Sequence, residues 1–171
     1  MKNLIYLLLF VTLGCAFSEQ KEVKIDITNE ETVSSDRNTA INDYDSTLAK
    51  KFGADDYGMK PYVMAFLKTG PNPAKDSMHA IEMQAAHMAN IGRLAEEGKL
   101  VLAGPFYGDD KGDFRGIYIF NTSSIDSARA YTASDPAVQY GIFVMDLKNY
   151  YGSAALMGIN ETHKKIAKIE I

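Results

Sequence analysis

The sequence predicts a single α+β domain in which a four-stranded antiparallel sheet carries two helices on one face. From Pro61 onward, strand-like and helix-like hydrophobic patterns follow one another in the order β-α-β-β-α-β. The composition, 46% hydrophobic and 23% charged over 171 residues, is typical of one globular domain with additional segments. That element order is typical of the split-βαβ, or ferredoxin-like, arrangement.

Each of the first four elements has a local signal. The first strand is the nearly continuous apolar run Tyr62–Lys68, which a loop rich in proline and glycine follows. Helical periodicity then runs over Met78–Glu97, and Gly98 ends it. The second and third strands are predicted at Leu100–Ala103 and Arg115–Phe120.

The last strand is predicted at Val138–Lys148, after a helix that Ser124 caps and that ends near Ala133. The domain then covers residues 61–155, and a polar tail of residues 156–171 follows. Nothing else in the chain obviously covers the sheet face opposite the helices, and soluble monomers rarely expose such an apolar face. We therefore expect a homodimer that packs sheet against sheet.

The N-terminus has the features of an export signal. Lys2 precedes the apolar run Leu4–Gly14, which is too short to span a bilayer as a helix. The only cysteine, Cys15, stands where a bacterial lipoprotein signal peptide is cut and lipidated, although Thr12 replaces the usual leucine. Simple cleavage near Ala16 and a retained membrane segment are the alternatives. We expect an exported protein, periplasmic or anchored in a bacterial envelope.

Three segments therefore precede the domain. Residues 1–14 are predicted to be the signal peptide, and residues 15–43, rich in charged and small polar residues, a solvated tether. Residues 44–60 are predicted to be a short extension, whose helix over Thr47–Phe52 is capped by Asp45 or by the serine after it.

Charge and composition exclude several function classes. The net charge of −4 argues against nucleic-acid binding, which requires a basic face. One cysteine and three histidines argue against a metal centre, and Asp109, Asp110 and Asp113 lack the ligand order of an EF-hand. No phosphate loop or nucleophilic arrangement stands out, so we expect no metal and no cofactor.

One histidine lies on the apolar face of the first long helix. A helical wheel places His87 in the apolar arc with Gln84 as its strongly polar neighbour. The candidate partner is Asp135, which precedes Pro136 between the second helix and the last strand. A carboxylate would fix the imidazole tautomer, the arrangement used for general acid–base catalysis. Alternatively, the two residues are a core histidine bonded to a backbone carbonyl and an ordinary turn aspartate.

Three further residues are candidates for substrate binding at the mouth of such a pocket. Gly104 and Pro105 would contribute backbone groups, and Arg115 would contribute a guanidinium. The alternative for Arg115 is a solvated charge at a strand end.

These elements together resemble the YCII-related domain family. The resemblance runs from about Tyr57 to Ala155, and the residues that carry it are His87, Gly98, Leu100–Pro105, Asp135-Pro136 and Gly141–Phe143. It implies a ferredoxin-like fold of the dimeric α/β barrel type, with His87 and Asp135 as the catalytic pair. The family includes a dehydrochlorinase that acts on a chlorinated hydroxyhydroquinone. The chain departs from the family at Ala137, where an aromatic residue is more usual.

Two functions remain open at the level of the sequence. The first is a small cofactor-independent lyase or isomerase, in which His87 and Asp135 transfer a proton on a small molecule of unknown identity. The second is a non-catalytic module for small-ligand binding or for structure, anchored at the envelope, in which the same pair only ties helix to strand.

Overall fold

The computed structural model describes residues 43–107 and 113–169. The elements, in chain order, are α1 (Ser46–Phe52), β1 (Met59–Thr69), α2 (Ser77–Glu96), β2 (Leu100–Pro105), β3 (Phe114–Phe120), α3 (Ile125–Thr132), α4 (Pro136–Tyr140), β4 (Phe143–Ser153), a 3-10 helix (Ala154–Gly158) and α5 (Ile159–Ile166). The predicted signal peptide, the lipidation candidate Cys15 and nearly all of the tether lie outside the described residues. So do Asp109 and Asp110. No helix in the described part of the chain combines the length and hydrophobicity of a membrane span.

The four strands form one antiparallel sheet in the order β2-β3-β1-β4. The central strand β1 pairs along its whole length with β4, and on its other side with β3. Helix α2 connects β1 with β2, and α3 lies in the connection from β3 to β4. Neither pair of strands is adjacent in the sheet, as in the ferredoxin-like arrangement. The predicted fold class, a four-stranded antiparallel sheet with packed helices, is confirmed.

The main core lies between the sheet and the helices α2 and α3. Its buried members come from three strands and both helices: Val63, Ala65, Leu94, Leu100, Tyr118, Phe120 and Ala128. Removing a leucine- or phenylalanine-sized side chain from water stabilises a fold by about 1.5–3 kcal/mol. The face of α2 that packs on this core buries Leu94, Asn90 and His87, so the helix directs a histidine toward the sheet.

The opposite sheet face is partly covered by the C-terminal segment. Tyr62, Val101 and Ile119 pack there against Leu156 and Met157, which lie in the 3-10 helix. A side-chain amide of α5 also donates to the carbonyl of β2's first residue at 2.8 Å. The polar tail therefore helps to cover the face that has no obvious cover in the sequence, because its few apolar side chains pack on that face.

The last strand begins later than predicted. Residues 136–140 form the short helix α4, and β4 starts only at Phe143. Asp135 caps α4, Pro136 occupies its first turn, and Gly141 ends it with a φ of 92°. The predicted strand at Val138–Lys148 is correct in its second half only, since these cap residues favour a helical turn over the apolar stretch that follows Pro136.

Candidate active site

The structure brings His87 and Asp135 together beneath the helical layer. His87 Nδ1 lies 2.5 Å from Asp135 Oδ2. The aspartate is completely buried and the histidine is 5% exposed. A short contact between an imidazole nitrogen and a buried carboxylate is a strong, charge-assisted type of hydrogen bond.

Local sequence fixes the carboxylate. Asp135 has extended backbone angles, and its second oxygen, Oδ1, accepts the backbone N–H of Ala137 at 2.9 Å as the N-cap of α4. The residue before it, Ser134, donates to the buried Asn90 at 3.0 Å and accepts from Arg93 at 2.9 Å. Asn90 and Arg93 lie on the same helix as His87, so α2 holds both members of the pair.

The second ring nitrogen of His87 also has a partner. The hydroxyl of Tyr118, on β3, lies 3.1 Å from His87 Nε2. Burial, with the nearby Asp135 charge as a smaller cause, raises the pKa of Tyr118 far above its usual value. Tyr118 therefore keeps its proton and can donate it to Nε2. The carboxylate at Nδ1 and the donor at Nε2 together favour the neutral tautomer with its proton on Nδ1.

A cleft of about 440 Å³ opens beside this histidine. Its lining comes from β1, the following loop, α2, β2, β3 and the start of β4: Leu67, Thr69, Gly70, Asn72, Pro73, Gln84, His87, Pro105, Arg115, Ile142 and Phe143. The Phe143 ring packs 5.0 Å from the imidazole. Asp135 does not line the cleft, so His87 stands between the buried carboxylate and any bound molecule.

The family assignment rests on a match that spans this site. The model of the YCII-related domain matches residues 62–148. The chain belongs to the YCII-related domain family. The matched segment begins in β1 and ends in β4, and it includes His87, Tyr118 and Asp135.

Comparisons with individual proteins add less. None of the curated proteins matches the chain. Among solved structures, the chain is similar to the 5-chloro-2-hydroxyhydroquinone dehydrochlorinase of Burkholderia phenoliruptrix AC1100 in complex with 2,5-dihydroxybenzoquinone. The identity is 23% and the TM-score 0.39, over 53% of this chain and 93% of that chain.

In this YCII-related domain, two of the three predicted binding residues line the cleft and the third does not. Pro105 and Arg115 line the cleft. Gly104 is not among the lining residues. Its carbonyl oxygen lies so close to Gly116 that a Cβ at position 116 would approach it to 2.4 Å. The close approach of β2 and β3 therefore requires the glycine at position 116, whereas a Cβ at position 104 would meet nothing within 4 Å.

Sequence reasoning missed several residues of this site. Tyr118 reads as a core strand residue, which it is, and nothing in the strand pattern reveals its contact with His87. Gln84 had a usable signal, because it precedes His87 by three positions and so shares its helix face.

Within residues 43–107 and 113–169, no group of three or more potential metal ligands is found.

Proposed function

We propose that this YCII-related domain is a small-molecule lyase or isomerase in which His87 transfers a proton and Asp135 orients it, without a cofactor. The observation that supports this proposal most is the 2.5 Å contact between a buried carboxylate and an imidazole that lines a cleft. General acid–base catalysis requires such a base within reach of the substrate and held in one tautomer.

The proposed step can be written for the atoms involved. His87 Nε2 accepts a proton from an acidic C–H or O–H of the bound molecule, and Asp135 stabilises the imidazolium that forms. In an elimination, the C–H electron pair forms the new double bond and the leaving group departs with its own electrons. In an isomerisation, the same proton returns to a different carbon.

Tyr118 sets a condition on this step. Its hydroxyl occupies Nε2, so the ligand must take over that hydrogen bond before the nitrogen can act as a base. The hydroxyl is buried, does not line the cleft and keeps its proton, so it acts on this step only by competing for Nε2.

A second candidate function is non-catalytic ligand binding. The observation that favours it is that both ring nitrogens of His87 are hydrogen-bonded in the described structure. A structural histidine has the same complement of partners, since a buried ring satisfies both nitrogens. The cleft would then bind a small molecule without chemistry.

Deuterium exchange tests these two functions against each other. Hydroxyquinones, lactones and cyclic β-diketones are incubated with the full-length protein in D2O, and proton loss is followed by NMR. We expect the native chain to accelerate exchange or elimination for at least one class. His87→Gln should lower that rate by about 100- to 10,000-fold, because it removes the base.

The matched control is His79→Gln, on the same helix and outside the cleft lining. It should exchange protons at the native rate. An unchanged rate in His87→Gln would reject the catalytic proposal. A native chain that binds a member of the panel without exchanging its protons would favour the binding function.

We further propose a homodimer through the uncovered part of the second sheet face. Phe106, Phe114 and Val144 are each more than 40% exposed, and the last two lie on β3 and β4, on either side of Lys68 of β1. Adjacent exposed apolar side chains commonly mark an interface. Light scattering at micromolar concentration should give twice the chain mass, and a monomeric mass would reject the dimer.

We also propose that Cys15 is lipidated and anchors the domain at a bacterial envelope, where its partner is the membrane. The support is the apolar run and cysteine in the sequence. Incorporation of labelled fatty acid that persists in Cys15→Ser would reject the assignment.

A further inference from the structure

Among the described residues, the lining of the cleft beside His87 has one permanent charge. Arg115 supplies it, and the other lining residues are apolar, neutral amides, a hydroxyl or the imidazole itself. The nearest buried charge behind the lining is the carboxylate of Asp135, which would repel an anionic ligand. The positive guanidinium in the lining offsets that repulsion and therefore favours an anionic ligand.

A β-bulge directs this arginine into the cleft. Leu67 pairs with Gly116 and Lys68 pairs with Phe114, which leaves Arg115 without a partner on β1. The Phe114 ring packs 5.7 Å from Phe66 on the opposite sheet face. Bulges of this kind redirect one side chain and are frequent beside active sites.

A hydrogen bond then orients the guanidinium. Arg115 Nε donates to Thr69 Oγ1 at 2.8 Å, and both residues line the cleft. Arginine has five N–H donors, so the four on its two terminal nitrogens are not used by this bond. Among the described residues, none of the ion pairs includes Arg115. Within residues 43–107 and 113–169, nothing in an ion pair competes with a ligand for these terminal nitrogens.

We propose that the cleft binds a small organic carboxylate, whose carboxylate pairs with Arg115 and whose apolar body lies between Leu67 and Phe143. Two terminal nitrogens in one plane match the two oxygens of a carboxylate. A phenolate or an alcohol has a single oxygen and cannot pair with both nitrogens in this way. The role of such a ligand as the substrate of His87 rests on the proposed function, whereas the binding of its carboxylate to Arg115 does not.

Benzoate and its neutral isostere benzamide test the site. Binding of each to the full-length protein is measured by NMR titration, from the arginine Nε–H signals and the backbone amides around the cleft. We expect benzoate to bind at least 10-fold more tightly than benzamide. Arg115→Gln should weaken benzoate at least 10-fold and leave benzamide unchanged, since only the carboxylate loses a charged partner.

Two variants separate charge from geometry. Arg115→Lys keeps the charge and loses the planar pair of donors, so its affinity for benzoate should fall between those of the native protein and Arg115→Gln. Arg129→Gln is the matched control, because Arg129 is an exposed arginine on α3 that does not line the cleft. It should bind benzoate like the native chain.

The proposal is overturned if benzoate fails to bind, if benzamide binds equally well, or if Arg115→Gln binds benzoate with native affinity. Catalysis is tested separately by the exchange assay, so the carboxylate site and the function of His87 can fail independently. A native chain that binds benzoate but does not accelerate proton exchange would reject the function of His87 and keep the carboxylate site.

Discussion

Asp135→Asn should leave the protein folded and lower proton transfer by about 100- to 10,000-fold. The asparagine keeps an oxygen that can accept the N–H of Ala137 and so preserves the cap of α4. Its amide nitrogen, however, donates a hydrogen bond where the carboxylate accepts one. His87 Nδ1 must then act as the acceptor, which moves the ring proton to Nε2. Nε2, the nitrogen that faces Tyr118 and is proposed as the base, no longer has a lone pair for the substrate's proton.

The measurement is the rate of deuterium exchange, together with the thermal midpoint of unfolding. Asp76→Asn provides the matched control, because Asp76 also caps a helix, accepting the N–H of His79 at 2.8 Å. Its replacement should change neither rate nor midpoint appreciably. If Asp135→Asn exchanges protons as fast as the native chain, the carboxylate does not set the tautomer and the acid–base proposal fails.

The pairing of His87 with Asp135 was open to prediction because each residue has a strong local determinant. Helical periodicity directs His87 inward, and the proline after Asp135 prevents a helix from continuing through it. The βαββαβ order then places α2 beside the segment that precedes the last strand. Local pattern and topology agree at this point, so a contact across 48 positions could be anticipated.

Other parts of the site depend on interactions that the pattern does not encode. The bulge at Arg115 is a register shift between two strands, which no single strand specifies. The α4 turn follows an Asp-Pro pair, but a short apolar run is compatible with both helix and strand until its caps are considered. The coverage of Tyr62 by Leu156 and Met157 likewise arises from tertiary packing, which a mostly polar segment does not reveal.

His87→Leu should lower the free energy of unfolding by about 1–3 kcal/mol, because it leaves a buried carboxylate without one of its hydrogen-bond donors. The variant leaves Asp135 completely buried, with the Ala137 N–H as its remaining partner among the described residues. It also removes the acceptor for the buried Tyr118 hydroxyl. A buried carboxylate without its partner is costly, because the protein interior cannot replace the hydration that the charge has in water. Urea unfolding measures the loss from the transition midpoint and slope.

The double variant His87→Leu/Asp135→Asn shows whether the cost comes from the uncompensated charge. The asparagine removes that charge and keeps the cap, so the double variant should be more stable than His87→Leu alone. Two substitutions that each weaken a fold independently would add their costs, whereas a coupled pair does not. A double variant that loses the sum of the single effects would mean that packing around the imidazole, and not the buried ion–imidazole contact, stabilises this site.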